Sequence, residues 1–375
     1  MSEVESVSAA VLAGLASMSR RRLLDLCLLS SPVEVLHRLK ANRRPESSMP
    51  FPRDLLSRLH SQANAADSDS VSTRLTELNI EVLVTGSPTY PRALEFDDER
   101  PGVLFCRGAT EVLTSPRVGI VGTRNATAAG RATARELGEG LARAGVCVVS
   151  GLASGVDAAA HWGAVGAGSG SARAVAVVGN GLDICYPKHN ADLFHSMCAE
   201  HLVLSEWPPG TRPEAYRFPL RNRIIAALSE VLVVIESRER GGSLITARAC
   251  LDRGIEVMVV PGSPRSKSSA GTNLLLRDGA TPVTCVDDVL DALGSGIRHL
   301  KPTARELPSV MACSEVIERV GEGPVTLDAL VAECGVGVAE VVMAVGELIA
   351  SGHLVEHNGW FESASSRLVN PGGTS

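Results

Sequence analysis

Aromatic residues are scarce in this chain: Trp, Tyr and Phe make up 3% of its 375 residues. A core without rings must be built from Val, Leu, Ile and Ala, and little ring area is left to stack on bases, so any stacking site is small. An excess of positive charge is also missing. The formal charge of -6 counts against a chain coated in basic side chains, as expected of a bulk nucleic-acid packager. A local basic patch is still allowed, because counterion release depends on the cations that touch phosphates and not on the whole-chain sum.

No CxxC pair occurs among the nine cysteines, which are scattered from Cys27 to Cys334, so reduced and mostly buried thiols are expected. His189 and His195 lie near Cys185 and Cys198, but the spacing fits no common zinc pattern and no metal is expected. No stretch approaches the uninterrupted apolar length of a membrane span, and the first residues lack a basic-then-apolar leader; the expectation is a cytoplasmic protein with no membrane partner. Gly119, Gly122 and Gly130 are too far apart for GxGxxG, and Gly241-Gly242-Ser243 lacks the Lys-Ser/Thr ending of a P-loop. Neither a dinucleotide site nor ATP hydrolysis gains support, and no cofactor is expected.

What is present divides the chain in three. Over 9–39 apolar residues recur at helical spacing, broken at Ser30-Ser31-Pro32, and 41–72 turns polar, which predicts loop and short helix. The first 77 residues are thus read as a small helical module of the SAM or helix-hairpin-helix kind. From 78 to 298 short β-branched runs alternate with Ala-rich amphipathic segments, as in strand-helix units around a parallel sheet. Strands are predicted at 118–121, 146–149, 174–178, 202–204, 231–235 and 256–260, each nearly continuous and apolar, as a strand covered on both faces requires. After a linker at 300–308, residues 309–365 read as helix-turn-helix followed by a hairpin around Asn358-Gly359, the winged-helix pattern. The fold class is therefore α/β: an extended Rossmann-like parallel sheet domain with a helical N-terminal module and a C-terminal winged helix.

Ligands of open parallel sheets sit beyond the carboxyl ends of the strands. There the chain has Gly122-Thr123-Arg124, Ser150 to Gly155, Gly179-Asn180-Gly181, Ser205-Glu206, Glu236-Ser237 and Pro261-Gly262. Their glycines let backbone approach a ligand and present amides to an anion. Arg124 is placed to grip a phosphate in two places, or merely to cap its turn. The segment 217–223 carries three arginines, Phe218 and no acid, a minimal single-strand site of phosphate contacts plus one stacked base. Alternatively those arginines pair with Glu206, Glu214 or Glu236. Gly242, Ser243 and Thr246 open another helix, where they hold a phosphate or simply cap the helix. Asp157, Glu206 and Glu236 converging would suggest a hydrolase, although lone carboxylates after different strands are more often caps or arginine partners.

Taken together, these segments resemble the DNA processing protein A (DprA/Smf) family. The resemblance rests on Gly122-Thr123-Arg124, on Ser150-Gly151-Leu152-Ala153-Ser154-Gly155-Val156-Asp157, and on Gly179-Asn180-Gly181-Leu182-Asp183 with Tyr186-Pro187. It continues in Phe218-Pro219-Leu220-Arg221-Asn222-Arg223, Gly241-Gly242-Ser243-Leu244-Ile245-Thr246 and Pro261-Gly262, in that order. The resemblance implies a Rossmann-like, non-enzymatic protein that binds single-stranded DNA, forms a homodimer and helps load the recombinase RecA during uptake of transforming DNA. It implies DNA contacts at Arg124, Lys188, Phe218, Arg221 and Arg223, with Gly122, Thr123, Gly151, Gly155, Gly181, Gly242, Ser243 and Thr246 shaping the groove. The chain departs from the family in a longer Gly/Ser-rich loop at 166–172, and in Ala215 and Tyr216, where members often carry basic residues. Two alternatives remain: a nucleotide-binding hydrolase of the lysine-decarboxylase-like (LOG) group, whose Pro-Gly-Gly-Gly-Thr motif is not matched, and a transcription regulator acting through the winged helix.

Overall fold

The computed structural model describes residues 2–294, 311–321, 323–335, 337–350, 353–357 and 359–363. The linker at 300–308 and Asn358 of the hairpin turn lie outside the described residues. Two compact units emerge: residues 1–283 with 289–298, and 284–288 with 299–375.

The first unit opens with five helices, α1 (Glu3–Gly14), α2 (Arg20–Leu29), α3 (Pro32–Lys40), α4 (Arg53–Ala65) and α5 (Ser68–Glu77). Ser2, Ser19, Ser31 and Asp67 each cap one of them through a side-chain oxygen, which supplies an acceptor to amides that have none inside the helix. The polar stretch is more helical than the sequence suggests. Leu59 and Ala63, one turn apart on α4, and Leu75 on α5 are buried, and those few apolar positions suffice to dock both helices.

The sheet that follows has nine strands: β1 (Glu81–Val84), β2 (Val103–Gly108), β3 (Arg117–Val121), β4 (Cys147–Ser150), β5 (Val175–Val178), β6 (Leu202–Ser205), β7 (Val231–Val234), β8 (Glu256–Val259) and β9 (Thr281–Pro282). Their order across the sheet is β1-β2-β6-β5-β4-β3-β7-β8-β9. The seven strands from β6 to β9 run parallel, and all six expected strands are among them. β1 and β2 add an antiparallel edge that the sequence did not reveal, pairing Phe105 with Ser205 of β6. The sheet is therefore mixed. Short apolar runs such as Val82-Leu83-Val84 carry no periodicity that separates strand from buried helix.

Helices on both faces cover the strands: α6 (Arg92–Glu95), α7 (Ala128–Arg143), α8 (Val156–Gly166), α9 (Ala191–Glu200), α10 (Arg217–Leu228), α11 (Gly242–Leu251) and α12 (Ala270–Arg277). Beyond them comes α13 (Val286–Ala292). The core between them is aliphatic, as the shortage of rings demands, with Val149, Val177, Leu204, Ile224, Leu232 and Val259 buried.

In the second unit lie α14 (Met311–Gly321), α15 (Leu327–Glu333) and α16 (Val338–Ala350), with a three-stranded antiparallel sheet of β10 (Val325–Thr326), β11 (Leu354–His357) and β12 (Trp360–Ser363) ordered β10-β12-β11. Val316, Leu330, Val341, Leu348 and Phe361 form its core.

Candidate functional site

Chain order reverses between β3 and β7, so the helices that follow these neighbouring strands leave on opposite faces and a crevice opens between their ends. It has a volume of about 550 Å³ and its lining includes Gly122, Arg124, Asp157, Phe218, Arg221 and Thr246.

Three strand-end turns brace one another around it. The Thr123 amide donates to the Glu236 carbonyl at 2.8 Å, and the Val156 amide to the Thr123 carbonyl at 3.3 Å. Gly155 sits at φ +81°, and a Cβ there would stand 2.4 Å from the Thr123 carbonyl oxygen and 2.5 Å from that of Arg124. A Cβ on Gly122 would stand 2.5 Å from Val156 Cγ2. Glycine at these two positions is a demand of close backbone approach.

One wall is aromatic and cationic. The Arg124 guanidinium lies over the Phe218 ring, 4.9 Å from its centroid, and Tyr186 stacks on Phe218 with centroids 5.5 Å apart and planes at 22°. Tyr186 is 40% exposed, which leaves ring surface open to a flat partner. Arg124 makes no ion pair among the described residues. The same holds for Arg238 and Arg240, which line the crevice too, and for Lys188, exposed on the loop just after Tyr186 but outside the lining.

Arg221 and Arg223, expected as DNA contacts, are drawn inward. Arg221 forms the floor: it is 4% exposed, its Nη1 donates to the Val177 carbonyl at 2.5 Å, and its guanidinium packs on Gly151, where a Cβ would lie 1.7 Å from Nη1. Burial lowers its pKa to about 10, with Asp157 opposing the shift, so it stays protonated at neutral pH. Burial raises the Asp157 pKa in turn, against the pull of Arg221 and of the Ala153 and Gly151 amides. Arg223 pairs with Glu206 at 2.5 Å, and Arg20 of α2 reaches the same carboxylate at 3.3 Å. Arg217 pairs with Glu214 at 3.0 Å. The ion-pair alternative describes Arg217 and Arg223; a guanidinium already neutralised at short range has little left for a phosphate.

Gly181 lies in the neighbouring loop, where a Cβ would stand 2.6 Å from an Asp183 carboxylate oxygen. Asp183 accepts from the Gly210 amide and pairs with Arg74 of α5 at 2.5 Å. His161, fully buried one turn after Asp157, has its pKa lowered to about 3 by burial and is neutral; its two ring nitrogens are outside hydrogen-bond geometry, although the Ser150 backbone stands beside the ring.

The two helices at the switch point start differently. Thr127 caps α7 by accepting from the Gly130 amide, and its own amide and hydroxyl donate to Glu236 at 2.9 and 2.5 Å. The buried Glu236 carboxylate thus occupies the place where Arg124 suggested an anion at this helix start. α11 begins at Gly242 with no side-chain cap. Ser243 donates to the Ser237 hydroxyl at 2.9 Å, and Thr246, 1% exposed, lines the crevice.

Tyr186 was read from the sequence as part of a motif but not as a contact, and Arg238 and Arg240 were not singled out at all. A signal for the arginines existed in their position just after the β7 strand end, but Glu239 between them disguises it as an ordinary solvated turn.

Comparison with known proteins agrees with this fold. The family model described as DNA recombination-mediator protein A matches residues 81–294. The DNA processing protein DprA of Bacillus subtilis is 38% identical over 218 residues, covering 58% of this chain and 72% of that one. A crystal structure of DprA from Streptococcus pneumoniae superposes with a TM-score of 0.61 at 29% identity, covering 78% of this chain and 98% of that one. The DNA processing protein A of Helicobacter pylori, whose structure is described as revealing a single-stranded DNA binding mode, superposes with a TM-score of 0.52 at 26% identity over 58% of this chain and 97% of that one.

Proposed function

The chain belongs to the DNA recombination-mediator protein A family, and from that premise we propose that it binds single-stranded DNA across the β3/β7 crevice. The observation that carries this is the Arg124, Phe218 and Tyr186 group: one base stacks on the ring pair while Arg124 grips the adjoining phosphate. Lys188 extends the basic path, Gly122, Thr123, Gly151, Gly155 and Gly181 shape the groove, and Arg221 acts from its floor. Arg223 supports the site from within by holding Glu206. The wider role proposed on the same resemblance is in transformation: the protein shelters the incoming strand, works as a homodimer in the cytoplasm and passes the strand to a RecA-type recombinase.

Binding, not turnover, fits the carboxylates best. Glu206 and Glu236 are engaged by arginines and by α7, and Asp157 is buried against Arg221 and backbone amides. The C-terminal unit is not required for strand binding, since every site residue precedes it. Anisotropy titration of the full chain with single-stranded and duplex oligonucleotides at two salt concentrations tests the reading. Tighter single-strand binding is expected. Arg124→Ala is expected to weaken it on all sequences and to shallow the log-log salt slope by about 0.7; equal affinity for duplex, or an Arg124→Ala slope like that of the wild type, overturns it.

A further inference from the structure

Arg238 and Arg240 belong to none of the recognised motifs, yet both line the crevice beside α11. The backbone that carries them is held on three sides. The Ser237 carbonyl accepts from the Gly271 amide at 2.7 Å, the Gly241 amide donates to the Arg238 carbonyl at 2.9 Å, and Ser243 Oγ donates to Ser237 Oγ. α12 can come this close only through glycine, because a Cβ on Gly271 would stand 2.5 Å from the Arg238 carbonyl oxygen. Both guanidinium groups are exposed, and neither meets a carboxylate among the described residues; Glu239, between them in sequence, does not line the crevice.

Ahead of this loop is the start of α11, a ten-residue helix whose first amides meet no capping side chain. One turn further in is an independent sign of a missing ligand. Thr246 is 1% exposed and lines the crevice, and its hydroxyl has no hydrogen-bond partner among the described residues. A hydroxyl with no partner inside the protein, on a residue that lines the crevice, is open to an acceptor arriving from outside. Two cations carried on a braced loop, a helix start and that hydroxyl share one complement, a tetrahedral oxyanion.

We propose that Arg238, Arg240, the Gly242 and Ser243 amides and Thr246 form a phosphate subsite, separate from the Arg124 and Phe218 wall, which takes a phosphodiester of the bound single strand. This rests on the reading of the crevice as a single-strand site and deepens it: the strand is held by a base on one wall and by a backbone phosphate on the other. The same chemistry would accept the phosphate of a free nucleotide, so the experiment separates the two.

Inorganic phosphate, dTMP and a short oligo(dT) are titrated into the full-length protein while the Gly242 and Ser243 amides are followed by NMR, and oligo(dT) affinity is measured at two salt concentrations. Saturable shifts of both amides are expected with all three probes. They are lost in the double variant Arg238→Ala/Arg240→Ala, which should also lower the log-log salt slope by about 1.4, with an unchanged urea midpoint showing an intact fold. Arg240→Lys should keep the slope. Thr246→Val should weaken binding by about threefold without altering the slope, since the hydroxyl carries no charge. Absence of phosphate-dependent shifts in the wild type, or an unchanged slope in the double variant, overturns the subsite and leaves the single-strand function standing. Shifts with phosphate and dTMP but no oligo(dT) binding overturn the strand assignment here and the function proposed above, and make the subsite a nucleotide site.

Discussion

The starts of α7 and α11 follow adjacent strands and face one crevice, yet one is closed and the other open. At α7 the protein supplies its own anion: Glu236 arrives from the end of β7, takes the Thr127 amide and hydroxyl, and fits because Gly130 leaves room for it. At α11 no side chain does this, and the nearest charged groups are Arg238 and Arg240. A helix start attracts an anion in either case, so the difference lies in who provides it. A self-provided carboxylate adds stability to the fold and removes a binding site, whereas an open start keeps the site and forgoes the stability.

Three substitutions test how far that contrast goes. The largest effect is expected from Gly155→Ala, which sets a side chain at φ +81° against the carbonyls of the turn leading to α7. A loss of about 3 kcal/mol or more should appear as a lower urea midpoint; a loss under about 1 kcal/mol would mean the turn is not as tightly braced as its distances indicate. Next is Gly130→Ala, whose Cβ would stand 2.4 Å from the Glu236 carboxyl carbon. Displacing that cap should lower stability by about 2 kcal/mol with little change in strand affinity, and an affinity loss without a stability loss would reverse the roles given to the two helix starts. The smallest effect on stability, and the sharpest on binding, is expected from Gly242→Asp. A Cβ at Gly242 meets nothing within 4 Å, so a carboxylate there should stabilise α11 by about 0.5 kcal/mol while reducing oligo(dT) affinity about tenfold. Gly242→Ala is the control, and equal affinity in both variants would show that α11 does not face the strand.

The parallel strands were legible because each is a β-branched run ending in glycine, serine, glutamate or proline, a pattern set by burial on both faces. The antiparallel edge was not, because β1 and β2 read like any short apolar stretch and β6, the strand that joins β2 to the sheet, is about a hundred residues away in the chain. At the site, Arg124 and Phe218 were visible as residue types in the right segment. What sequence could not separate was the fate of neighbours on one helix: Arg221 and Arg223 look alike beside Phe218, but one lies on Gly151 at the crevice floor and the other is neutralised by Glu206. That choice depends on glycines and carboxylates brought in from other strands, and spacing alone does not encode it.

The ends of the nine-stranded sheet bear on how copies of the chain could associate. Strand β9 is two residues long and finishes at Pro282, which has no amide to donate, so its outer edge offers a neighbouring strand almost nothing to pair with. At the opposite end β1 is only four residues long, begins with the exposed Glu81 and packs against α1. Short, proline-ended and covered borders are how natural sheets avoid edge-to-edge polymerisation. A sheet of this breadth would otherwise invite growth by strand addition, so its borders leave any pairing of two copies to other surfaces of the chain and keep its own hydrogen-bonded ladder complete in itself.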